Sequence, residues 1–230
     1  MTTVEKVSSK PAGGAVQAKL ERAEPSVEVL SKEWKRGIID TASGAEYLER
    51  KEKEVITEIN MVRTDPVSYV KHYLEPLRLY YHDRLLQYPG AGAISTSEGI
   101  RALEECIRDI KRAKPVRPLS PKRGLTFAAR DQAKDQAGTG AFGHAGSDGS
   151  SVTTRLTRYG RWNISAGENI YYGNGDARRI VTALLVDDGI PSRGHRNNLL
   201  DTDFNFVGVA VGPHREYGNM CVMDFAGSYE

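Results

Sequence analysis

Four short stretches between Gly143 and Leu200 gather the side chains able to do chemistry: Gly143-His144-Ala-Gly, Gly167-Glu168-Asn169, Leu184-Leu-Val-Asp187-Asp188 and Gly194-His195-Arg196. Each sets an imidazole or a carboxylate beside a glycine or a turn, where backbone can approach a ligand closely. His144, Glu168, Asp187 or Asp188, and His195 could converge on one cleft, where imidazoles and carboxylates serve as metal ligands or as acid–base groups. The spacing is not that of a helical His-x-x-x-His pair, so spacing alone establishes no shared metal. Glu168 lies in a predicted strand that otherwise reads apolar and aromatic, and there a carboxylate is either turned to solvent or buried with a partner. Asp187 and Asp188 end a predicted helix, where negative charge meets the unfavourable pole of the macrodipole. That local cost implies that one of the two is held for another purpose. His72, His82 and His214 have no partner pattern and read as surface or packing histidines.

The elements that must position these residues follow from periodicity. From Glu46, the residues Leu48, Val55, Ile56, Ile59 and Val62 fall near one helical face. Asp65-Pro66 marks a second helix start, cap then first-turn proline, leading into Val67, Tyr69, Val70 and Tyr73. Asn60 and Arg63, at the junction, read as capping and surface charge, with side-chain hydrogen bonds between segments as the alternative for Asn60. Residues 76–94 form a loop carrying Tyr80, Tyr81 and Tyr88 that packs over the core. Ser95-Thr-Ser-Glu98 has the pattern of a capping box before the stripe Ile100, Leu103, Ile107 and Ile110. After an extended Pro115–Pro121 connector, Leu125 to Ala137 describes a small-residue helix. Asp148 or Ser150 caps a helix through Val152, Leu156 and Tyr159. A strand follows over Trp162–Tyr172, then a helix capped within Gly173-Asn-Gly-Asp176, then a short turn bearing His195. Phe206–Gly212 and Met220–Phe225 form an antiparallel pair. Helices first, then helices interleaved with strands, predict an α+β fold with a sheet covered on both faces.

Several function classes are excluded or weakened. Gly138-Thr-Gly140-Ala-Phe-Gly143 matches GxGxxG, but a helix ends there instead of a strand, so the glycines are a C-cap and a sharp loop, not a nucleotide cradle. With 32 basic against 30 acidic residues, a net charge of +2 gives no pull toward nucleic acid. No apolar run approaches the roughly 18 residues of a membrane span, and Met1-Thr-Thr-Val-Glu-Lys has no signal-peptide core. The 230 residues, 39% hydrophobic and 27% charged, suit one domain over 41–230 after a flexible leader of about 40 residues. Within that leader Val27, Val29, Leu30 and Trp34 could form a short docking segment. Cys106 and Cys221, far apart, are expected to be free thiols.

Asn60-Met-Val-Arg63-Thr-Asp-Pro66-Val-Ser-Tyr69, Gly143-His144, Gly167-Glu168-Asn169-Ile170, Gly194-His195-Arg196-Asn197-Asn198 and the closing β-run resemble the CAP superfamily. That group comprises cysteine-rich secretory proteins, antigen 5 and pathogenesis-related protein 1, here in a disulfide-poor bacterial form. The resemblance covers about residues 50–227, outside the leader and the insertion near 76–94. It implies an α-β-α sandwich with a central antiparallel sheet and a cleft where two histidines and two acids hold a divalent metal, often zinc. Carried over by position, these are His144, His195, Glu168 and Asp187. The family's Trp-Tyr-x-Glu falls on Leu184-Leu185-Val186-Asp187, a departure that shortens the second acid and removes the aromatic wall. The resemblance implies a secreted binding or effector module taking metal and an apolar lipid, sterol or peptide ligand. The alternatives are a metal-assisted hydrolase with His144, His195 and Glu168 as catalytic candidates, and a non-catalytic cell-envelope interaction protein.

Overall fold

The computed structural model describes residues 34–230. The expected docking residues Val27, Val29 and Leu30 therefore lie outside the described part. Trp34 does not: it is buried, donates its indole N–H to the Met61 carbonyl at 2.9 Å, and joins one core cluster with Ile39 and Ala42. Packing thus reaches back across the expected boundary at residue 40.

A short turn of helix, α1 (Arg36–Ile39), precedes α2 (Arg50–Thr64), whose start is a reciprocal capping box between Glu49 and Glu52. Helix α3 (Pro66–Tyr69) begins on Asp65, which accepts the Ser68 N–H at 3.0 Å, and runs on through a wide turn over Val70–Leu74. The expected loop over 76–94 is more structured than its composition suggests. A 3-10 stretch Glu75–Tyr80 leads into three two-residue strands, β1 (Tyr81–His82), β2 (Leu85–Leu86) and β3 (Ile94–Ser95), with Tyr80 and Tyr81 buried. Helix α4 (Ile100–Arg112) does not use the expected capping box. Ser95 is engaged in β3 opposite Leu85, and the Glu98 carboxylate is taken by Arg193 and the Gly189 N–H.

The main sheet has four strands in the order β4 (Ser120–Pro121), β6 (Phe206–His214), β7 (Gly218–Tyr229), β5 (Trp162–Tyr172). It is antiparallel except for the short parallel edge β4–β6. Period-two alternation splits β7 between two cores. Cys221, Met223 and Phe225 face a layer containing α2, α4 and α7 (Ala177–Val186), whereas Met220, Val222 and Ala226 face α5 (Arg123–Thr139) and α6 (Val152–Tyr159). The result is the expected α-β-α sandwich. Close approach of α5 requires Gly208, where a Cβ would collide with the backbone of Leu125 and Thr126. Helix α6 is capped by Ser151, not Asp148 or Ser150, because Asp148 binds the Ser150 N–H and Arg158 instead.

Asn60 and Arg63 are not surface residues; both are fully buried. Asn60 donates to Ile39 O and Leu119 O and accepts Leu119 N–H at 2.7 Å. The Arg63 guanidinium donates to the carbonyls of Arg117, Leu199, Asp201 and Phe204 at 2.9–3.0 Å. Burial pulls its pKa down to about 10, so the carbonyl cradle holds a desolvated cation. A lysine has three donors on one atom and cannot span four carbonyls. Arg63→Lys is expected to lower the unfolding free energy by about 3 kcal/mol, read from urea denaturation. A loss under about 0.5 kcal/mol would place the cradle outside the stabilising interactions.

Candidate functional site

The first histidine is delivered by the loop after α5. Gly140 and Gly143 adopt φ of +73° and +97°, which reverses the chain sharply. The loop is pinned at Gly143, whose carbonyl accepts from Gln132 and Gln136 and whose N–H donates to the Tyr172 hydroxyl at 2.8 Å. His144 then places Nδ1 2.8 Å from Glu168 Oε1. The other oxygen of Glu168 accepts from Arg155 Nη2 at 2.8 Å, and Arg155 Nη1 donates to the His144 carbonyl at 3.1 Å. One buried guanidinium therefore holds both members of the His144–Glu168 pair. Arg155 follows Val152 by three residues and precedes Leu156, so helical spacing alone already set it on the apolar face of α6.

The second histidine opens α8 (Gly194–Leu200). Asp187 sits past the end of α7 with φ of +53°, and its Oδ1 lies 2.6 Å from His195 Nδ1. Its Oδ2 accepts the His195 backbone N–H at 2.9 Å. The charge that is unfavourable at the end of α7 is thereby placed at the start of α8, where it is favourable. Asp188 goes elsewhere, accepting the backbone N–H groups of Ser97 and Glu98. The turn between the helices is clamped by Arg193 on Glu98, Glu105 and the Asp187 carbonyl, and by Arg196 on the Leu185 and Val186 carbonyls. Arg193 pulls Glu98 and Glu105 down to about 2.

Strand β5 joins the two pairs. Glu168 holds His144, while the next residue, Asn169, donates to the His195 carbonyl at 3.0 Å and accepts from Asn198 at 2.9 Å. The imidazoles reach outward and the acids lie behind them: His144 and His195 side chains are 52% and 23% exposed, Glu168 and Asp187 1% and 2%. With Nδ1 committed to a carboxylate, Nε2 is the ring atom left for a ligand, and neither Nε2 has a hydrogen-bond partner among the described residues.

The four residues expected to ligate one metal are thus organised as two acid–imidazole pairs. Among the described residues no group of three or more His, Cys, Asp or Glu side chains is placed to hold an ion together. All four carboxylate oxygens are already engaged. The donor set does not fit a four-ligand cage. It fits two imidazoles with carboxylates behind them, the arrangement that fixes tautomer and ring direction. His72, His82 and His214 take no part in either pair; His214 instead donates through Nε2 to Ala141 O at 3.0 Å, bracing the His144 loop.

Residues 57–225 match the profile of the cysteine-rich secretory protein family, CAP. The chain belongs to that family. An uncharacterized protein of Bacillus subtilis, YkwD, is 28% identical over 112 residues, which cover 49% of this chain and 40% of that protein. The chain thus matches less than half the length of this relative. Two solved structures align over 48% of the chain. One is an outer surface protein of Borrelia burgdorferi, with TM-score 0.42, 21% identity and 78% of that chain covered. The other is an extracellular SCP-domain protein of Bacillus anthracis, with TM-score 0.41, 24% identity and 34% covered. Both cysteines of this CAP chain are free and buried, and burial pushes the Cys106 thiol up to about 12.

A fifth ionisable group underlies this CAP site. Asp224 pairs across strands with Glu168 and is completely buried, and neither of its oxygens meets a protein donor. Burial first, and the neighbouring Glu168 charge second, raise its pKa well above the usual carboxylate range. Two adjacent carboxylates in that position are compatible when one proton lies between them. An acid whose folded pKa exceeds its unfolded value loses stabilisation as pH rises from the unfolded pKa toward the folded one. Asp224→Asn is therefore expected to raise Tm at pH 7 and to flatten the decline of Tm above about pH 4, read by thermal scans across pH. A Tm lowered equally at every pH would show that Asp224 carries no such proton.

Proposed function

We propose that this CAP domain is an extracytoplasmic binding module in which His144 and His195 present Nε2 to a divalent cation, zinc by donor chemistry. One observation carries the reading: each imidazole is anchored at Nδ1 by a buried carboxylate, Glu168 at 2.8 Å and Asp187 at 2.6 Å, while its ring stays accessible. Such anchoring keeps the imidazole in the tautomer whose Nε2 lone pair is available and fixes the direction of the ring. A bound divalent ion would supply Lewis acidity and a fixed positive charge beside the two imidazoles. Arg155 and Asn169 contribute orientation, the first through Glu168 and the second through the backbone of His195.

The same geometry favours binding over hydrolysis. Glu168, the candidate base, is buried behind the imidazole with its oxygens on His144 and Arg155, so it does not face a solvent water at the exposed ring. A lipid or sterol ligand draws no support from the surface groove of about 790 Å³ between α1, α2 and the start of α7, which is lined mainly by charged side chains such as Arg50, Lys53, Glu54 and Asp176. Location outside the cytoplasm rests on the secretory character of the family, and no helix among the described residues is long and apolar enough to cross a membrane.

Isothermal titration of the metal-free chain with zinc is expected to give one ion per chain. His144→Ala and His195→Ala should each abolish the heat, and Glu168→Gln should weaken affinity about tenfold to a hundredfold with the fold retained. Equal heats for the native chain and both histidine variants would overturn the reading.

A further inference from the structure

Helix α6 has two faces with different partners. Its inner face carries Arg155 and Leu156 into the core. Its outer face and the start of β5 border a groove of about 520 Å³ lined by Thr153, Thr154, Thr157, Arg158 and Trp162. The groove is shallow and open to solvent. The four helix residues are exposed and the indole is half-buried.

The hydroxyls in this groove are ordered. Ser151 Oγ lies 3.0 Å from Thr153 Oγ1 and 2.9 Å from Thr154 Oγ1, and the Thr157 hydroxyl donates to the Thr153 carbonyl at 2.8 Å. Thr157 therefore offers its oxygen as an acceptor toward the groove. Arg158 is fixed by Asp131 at 2.9 Å and Asp148 at 2.6 Å, so its remaining N–H bonds are held in place and its charge is more than balanced. The Trp162 indole N–H has no hydrogen-bond partner among the described residues.

We propose that this groove is a binding site for a neutral oligosaccharide. A pyranose ring presents an apolar C–H face and a rim of hydroxyls. The indole matches the face, being large, rigid and amphipathic, while threonine hydroxyls and a fixed guanidinium match the rim. Because two carboxylates flank the single guanidinium, phosphate or sulfate groups are disfavoured, which restricts the ligand to uncharged sugars. The groove lies on the face of α6 opposite Arg155, so it operates independently of the two imidazoles.

The chain has only two tryptophans, and Trp34 is buried, so fluorescence isolates the groove. Titration of the full chain with chitotriose and with cellotriose is expected to give a saturable change in tryptophan emission with Kd near about 1 mM for at least one of them. In saturation-transfer NMR on the same sugar, Trp162→Ala should lose the signal. The isosteric and exposed Thr157→Val, which leaves the core untouched, should weaken binding at least about threefold. His144→Ala should leave it unchanged. Absence of saturation with both trisaccharides up to about 10 mM would overturn the proposal. So would full affinity in both groove variants, or tighter binding of a sulfated hexasaccharide than of either neutral sugar.

Discussion

Two consecutive side chains on the edge strand β5, Glu168 and Asn169, set the position of everything chemical in this protein. The pleat sends them to opposite faces of the sheet. Glu168 turns toward α5 and α6, where it meets His144, Arg155 and Asp224; Asn169 turns toward α8, where it meets the carbonyl of His195 and the amide of Asn198. A one-residue slip in the β5–β7 register would exchange the two faces, taking Glu168 from His144 and Asn169 from the His195 carbonyl. The register is secured by long pairing with β7 beyond the irregularity at Asn163 and Ala166.

Guanidinium groups do the work of tying loops together in a chain whose two cysteines are unpaired. Arg63 gathers four carbonyls from the Arg117 segment and the turn after α8. Arg155 joins the His144 loop to β5, and Arg193 with Arg196 join α8 to α4 and to the end of α7. Each is buried or nearly so, and a planar fork of five donors suits several carbonyls or carboxylates at once. Removing any one leaves orphaned acceptors as well as a cavity, so these arginines serve both stability and the placement of the imidazoles. Asp224 is the opposite case: a buried group without a protein donor, whose neighbour is another acid.

Much of this was legible in the chain. Local rules account for the Asp65-Pro66 helix start, the stripe of α4, the Asp176 cap of α7 and the β-rich closing pair, because caps and apolar periods act within a few residues. The family motifs mark His144, Glu168, Asp187 and His195, and a glycine precedes each imidazole, Gly143 in a sharp turn and Gly194 at the start of α8. Where local rules failed, a distant partner had taken the group. Ser95 and Glu98 have the spacing of a capping box, yet Arg193, almost a hundred positions on by chain order, claims the glutamate. Asn60 and Arg63 look like helix-end polar residues, but segments far along the chain fold over them.

The sequence by itself thus determined which residues could do chemistry, the order of the elements and the faces they bury, since these depend on residue type and short-range period. Tertiary structure alone decided that Asp188 turns away to Ser97 and Glu98, that the tetrad forms two oriented pairs, and that Arg155 and Asp224 stand behind Glu168. Those outcomes depend on which desolvated polar group finds which partner across the sheet, and hydrogen-bond satisfaction between segments so far apart leaves no local pattern to read.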